Sequence, residues 1–219
     1  MTQYPPDISQ RNITMSTSPH TQSTASAAVA NADSVIAAII QAHPWLAPDK
    51  IARNTQKILL MNASTRSKKQ VLIKLADQVN EAILPYSACN AGCSHCCSMP
   101  TLIYQYEAEQ LAEVSGRPFK KLNPRSHTAV MARAVEFHGQ ACPFLSQGRC
   151  SVYEVRPMIC RLHHSLNATP ENCICTESRI RKPVIQFDPD WVEVPYHRLA
   201  RQTKPAEPWG VIQEFFPDM

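Results

Sequence analysis

From residue 32 onward the apolar positions of the chain recur at helical rather than strand spacing. ADSVIAAIIQAH, ended by Pro44, predicts a first helix, and PDKIARNTQKILLM predicts a second, entered through Pro48 and Asp49. The third is the clearest. In STRSKKQVLIKLADQVNEAIL, Ser64 or Thr65 offers an N-cap, while Val71, Leu72, Leu75, Val79 and Ile83 share one stripe. Lys68, Lys69 and Lys74 are expected on its solvated side. Further along, TLIYQY predicts a short strand and YEAEQLAEVSG a helix stopped by Gly116. RSHTAVMARAVEFHG gives a helix ending near Gly139, and CPFLSQGRCSVY two extended pieces around a turn at Ser146–Gly148. Residues 186–219 are broken by prolines and read as a segment that wraps the core through Trp191, Trp209, Phe215 and Phe216.

Composition adds boundaries to this pattern. Residues 1–31 are rich in Ser, Thr, Gln and Ala without periodicity, which predicts a disordered tail, followed by a helical segment over 32–86 that packs on the core. An apolar fraction of 44% is enough for most of the remaining chain to fold. A net charge of +4 is too small to mark a nucleic-acid binder, and a basic face on the third helix is the weaker reading of its lysines. No Gly-rich phosphate loop occurs. The N-terminus lacks a basic region followed by an unbroken apolar run, and no stretch is apolar enough to cross a bilayer. A cytoplasmic protein with no membrane partner is expected, and there thiols stay reduced.

The candidate chemistry lies in the cysteines. CNAGCSHCCSMP places Cys89, Cys93, Cys96 and Cys97 within nine residues. On an ideal helix they would share an arc of about 100°, so a buried apolar stripe is one reading. Asn90, Gly92 and Ser94 are weak helix formers, however, and a helix would spread the sulfurs over about 12 Å, too far for one ion. A loop curling its thiolates around metal fits the composition better. Cys96 and Cys97 are adjacent and their side chains diverge, which suits two metals or opposite sides of one cluster. A second block adds Cys142, Cys150, Cys160 and Cys173, with Cys175 as the odd thiol. Eight cysteines suffice for two four-thiolate sites, each a tetrahedral zinc or a [4Fe–4S] cluster.

In YEVRPMICRLHH, Pro157 is placed to start a helix, so Cys160 falls in the first turn, where the dipole favours a thiolate. Arg149, Arg156 and Arg161 are available to offset the charge of such a site. His95, His163 and His164 are alternative ligands, but nine thiols make them more suited to supporting roles. The C-x3-C-x2-C spacing also matches radical S-adenosylmethionine enzymes; the short, mainly helical remainder of the chain excludes that fold. A nucleophilic Cys–His pair stays open, with nothing to single out one thiol.

CNAGCSHCC followed by CPFLSQGRCSVYEVRPMICR resembles the YkgJ-like, or CxxCxxCC-type, family of zinc- or iron-chelating cysteine-cluster proteins. The continuation HHSLNATPENC is similar to an extension found in some members. The resemblance implies metal-ligand roles for Cys89, Cys93, Cys96, Cys97, Cys142, Cys150 and Cys160, with Cys173 added by the extension. It also implies that Arg156 and Arg161 shape the cofactor site and balance its charge. The fold expected is mainly α with a few short strands: a small, irregular, metal-centred cysteine-cluster domain over 87–185, flanked by helices. Three functions follow, in this order: a metal-binding protein holding zinc or an iron–sulfur cluster; an iron–sulfur enzyme of redox or methyl-transferring type; and a zinc-based adaptor for protein or nucleic acid. Related clusters occur attached to a lysine methylase of flagellin, which brings enzymes within the family's reach.

Overall fold

The computed structural model describes residues 32–174, 184–203 and 205–217. The predicted disordered tail and Cys175 lie outside them. The chain is mainly helical, with only short antiparallel strands.

Helix α1 spans 32–42. Helix α2 (Pro48–Leu60) begins with proline at its first position, where the missing N–H costs nothing. Helix α3 (Thr65–Ile83) is capped by Ser64, whose hydroxyl accepts the N–H of Ser67 at 3.1 Å. Strand β1 (Leu102–Tyr104) leads into α4 (Gln105–Ser115), which stops at Gly116 in the left-handed conformation, φ 70°. Helix α5 (His127–Ala134), strands β2 (Leu145–Ser146) and β3 (Arg149–Cys150), and the short α6 (Met158–Leu162) follow. The β2–β3 turn takes Gln147 and Gly148 through positive φ, as a tight two-residue hairpin requires. The chain then adds α7 (Asp190–Arg201), β4 (Trp209–Val211) and α8 (Ile212–Phe215).

Two cores form. Buried residues of α2, α3, α6 and α7 make the larger one. Ile103, Leu111, Phe144, Val152, Ile212, Phe215 and Phe216 make the smaller. The β1–β4 ribbon lies between them. Successive side chains of a strand point to opposite faces, so Ile103 enters the smaller core while Tyr104 enters the larger.

Two expectations are corrected here. The C-terminal segment does pack through Phe215 and Phe216, but it contains a helix of 12 residues, α7, despite Pro195 within it. Val192, Tyr196, Leu199 and Ala200 bury one face of α7 against α2 and α3, and this burial outweighs the one backbone donor that Pro195 lacks. The second correction is Lys69, which is 3% exposed rather than solvated. Its ammonium pairs with Glu207 and lies over the rings of Tyr106, Tyr104 and Tyr196, at 4.9, 5.8 and 5.8 Å from their centroids. Periodicity had put this lysine on the polar side because it cannot foresee a partner supplied from Glu207.

Candidate metal centre

The first cysteine block is a loop closed by a single 3₁₀ turn, His95–Ser98, and not an α-helix. Gly92 takes φ 95°, a conformation that side chains resist, and so lets the chain curl between Cys89 and Cys93. The loop is fastened at both ends. Ala88 N–H donates to the Ser165 carbonyl at 2.7 Å, and Ser165 N–H reaches Cys89 Sγ at 3.5 Å. On the other side, Cys142 N–H donates to the Cys97 carbonyl at 2.7 Å, and Gly139 N–H to Ser98 at 3.0 Å. These bonds lay the second block directly against the first.

Each remaining cysteine has its own support. Cys150 stands on β3 opposite Leu145, so the hairpin returns it beside Cys142. Cys173 ends the 3₁₀ turn Pro170–Cys173, which packs on the turn carrying Cys96 and Cys97. Cys160 sits at the third position of α6. That helix is held from behind by Glu107, which accepts Met158 N–H at 2.8 Å, and by Arg161, whose guanidinium binds Asp77 and the carbonyls of Arg156 and Glu154.

The thiols perturb one another in a pattern that reports their placement. Burial raises the Cys93 thiol above its ordinary value, and the charges of Cys89 and Cys96 add to the rise. Cys173 is raised by burial, with Cys89, Cys96 and Cys93 adding and a hydrogen bond from Ser165 opposing. Cys142 is raised by burial and by Cys150 and Cys96, while Arg117 opposes. Cys160 is raised by burial first, then by Cys96, Cys142, Cys150 and Glu107. Cys160 nevertheless keeps an exposed surface, which tempers its desolvation and leaves the neighbouring charges as the firmer cause. Pro157 is the N-cap of α6 rather than its first residue, and Cys160 lies in the first turn as expected. Cys96 is raised by a hydrogen bond with Cys97, then by burial. The thiols therefore form two neighbourhoods, Cys89–Cys93–Cys173 and Cys142–Cys150–Cys160. The charge of Cys96 acts on members of both, and a hydrogen bond with Cys97 raises its own thiol.

Such crowding is unfavourable for free thiolates and favourable for a metal cation, which deprotonates its thiol ligands and cancels their repulsion. The donor set thus fits zinc or an iron–sulfur cluster. Among the described residues, no three His, Cys, Asp or Glu side chains already stand in a closed ion cage, so the sulfurs converge by region rather than in finished coordination geometry.

The expected auxiliary residues are placed as follows. Arg156 lies over Tyr153, at 3.9 Å from the ring centroid, and like Arg161 faces Asp77 of α3. Arg149 is exposed. His164 is buried, with Nδ1 against the Leu162 carbonyl and Nε2 against Asn80, and His163 Nδ1 meets Gln186 at 2.8 Å. Periodicity and motifs missed Arg117, whose Nη1 donates to the Pro143 carbonyl at 2.5 Å and whose charge acts on Cys142. Glu107 was missed as well, although a Glu three residues after the strand end Tyr104 is a capping-box signal.

An α-rich frame thus lays two cysteine-bearing segments against each other, an arrangement compatible with generic metal binding. Residues 88–191 match the family model CxxCxxCC, described as "Putative zinc- or iron-chelating domain", so this segment is similar to that cysteine-cluster family. No curated protein and no solved structure matches the chain.

Proposed function

We propose that this chain is a cytoplasmic protein holding two thiolate-bound metal centres, zinc or [4Fe–4S], one on each side of the Cys96–Cys97 pair. The observation that carries this reading is the division of the thiols into two neighbourhoods meeting at Cys96. One centre takes Cys89, Cys93 and Cys173; the other takes Cys142, Cys150 and Cys160; Cys96 and Cys97 supply a fourth ligand to each. Arg161 and Arg156 serve the second centre indirectly, by fixing α6. Arg117 supplies the nearer positive charge. The metal ties segments distant in sequence, so its binding free energy is also folding free energy, at about 10 kcal/mol or more for a structural zinc. Burial of Lys69 weakens the case for α3 as a basic nucleic-acid face.

Metal content and absorbance of protein purified without oxygen test the reading, together with Cys96→Ser and Cys97→Ser made separately. Iron with acid-labile sulfide identifies a cluster, and zinc without colour identifies a structural site. Unequal partial losses of metal are expected from the two variants. Identical, total losses would falsify the separate centres.

A further inference from the structure

Beside the second neighbourhood lies a cavity of about 700 Å³, a size that accommodates a small organic molecule. Cys142 forms part of its wall. Apolar surface from Leu122, Phe137 and Phe216 lines it, with Lys120 and Arg133 as its cations. Arg133 is already engaged by Glu136 and Glu214. Lys120 is exposed, and its ammonium has no ion-pair or hydrogen-bond partner among the described residues. Gln213, also in the wall, is 9% exposed. Its Nε2 faces the carbonyls of Gln140 and Ala141 at 3.4 Å, which fixes the amide's orientation. Its Oε1 is left without a partner among the described residues.

We infer that this cavity binds a small organic carboxylate with an apolar body, its carboxylate on Lys120 and its body against Leu122, Phe137 and Phe216. An ion-paired cation would offer an incoming anion little, whereas the uncommitted Lys120 ammonium gains a partner. The wall also carries Glu214, whose carboxylate is held by Arg125 and Arg133, so the anion is placed on Lys120. Arg133, already paired with two carboxylates, is not the anion site. The ligand's position next to a thiolate of the metal centre rests on the two-centre reading; the cavity and its ligand class do not.

The test uses phenylacetate, and phenylacetamide as its uncharged counterpart, with full-length metal-loaded protein and ligand-observed NMR titration. Phenylacetate is expected to bind with a Kd of about 1 mM or tighter, and phenylacetamide about tenfold more weakly. Lys120→Glu is expected to weaken phenylacetate by about tenfold or more. Ala141→Trp, which grows from an exposed position on the wall, is expected to abolish binding by filling the space. Both substitutions are at exposed positions, so unchanged thermal melting confirms that the variants remain folded. The inference is overturned by no phenylacetate binding at about 10 mM, by equal affinity for the amide, or by a Kd that neither substitution moves. Metal content measured on the same samples separates the two readings: metal-free protein that still binds phenylacetate through Lys120 removes the metal centres and keeps the cavity.

Discussion

The carboxylate of Glu107 accepts the backbone N–H of Met158 at 2.8 Å while its other oxygen accepts that of Tyr104 at 2.9 Å. One buried side chain thereby caps α4 and suspends α6, the helix that carries Cys160. Replacement by alanine leaves two buried N–H groups unmet, at about 1–3 kcal/mol each. Glu107→Ala should therefore lower stability by about 2–5 kcal/mol in urea unfolding. Glu107→Gln keeps one acceptor and should cost less.

Lys69 and Glu207 form a buried pair, with side chains 4% and 11% exposed. Lys69→Ala leaves Glu207 uncompensated and opens the space among three tyrosines, so a loss of about 3–5 kcal/mol is expected. Lys69→Met with Glu207→Gln removes both charges and retains most of the volume. Denaturant midpoints should place that double variant well above the single Lys69→Ala.

Arg161 makes its bonds to Asp77, Arg156 and Glu154 in fixed fork geometry, which lysine cannot reproduce. Arg161→Lys should leave the chain folded but loosen α6. Competition with a chromophoric chelator should then show metal affinity reduced by about tenfold. Unchanged affinity would separate the arginine from the metal centre.

Burial, reinforced by Asp190, Glu107 and Asp188, raises the carboxyl of Glu193 to about 7. An unfolded chain releases that proton near pH 4.3. Between the two values the folded state holds a proton that the unfolded state has lost, so this contribution declines as pH rises toward 7. Glu193→Gln should be more stable than the parent at pH 8, by about 1–2 kcal/mol, and near parity at pH 4.5. His164 and His197 act at the other end. Burial lowers each to about 4, so their neutral forms stabilise the fold above pH 6.5 and that stability is lost as pH falls toward 4.

Local signals carried far in this chain because they were local in cause. Ser64, Gly116 and the Ser146–Gly148 turn act within a few residues of themselves, and each marks an element edge where expected. The cysteine-cluster segment was legible because the spacing of its thiols is distinctive. What periodicity could not reach were pairings over long separations. Lys69 reads as surface until Glu207 is beside it, Arg117 reads as a loop residue until Pro143 is, and α7 hides behind Pro195 until its buried face is counted. The contact between the two cysteine blocks likewise depends on the bond from Cys142 to Cys97, which spacing does not contain.

The β1–β4 ribbon also sets an order of events during synthesis. Leu102, Ile103 and Tyr104 emerge from the ribosome just after the first cysteine block, but their partners Val211, Gly210 and Trp209 follow them far along the chain. Non-local strand pairing is slow to form because a long loop must close first. Until those partners are made, the cysteine blocks have neither the ribbon nor the smaller core assembled beside them. The ribbon is therefore a clasp that closes late, and the smaller core has its full frame only once it has closed.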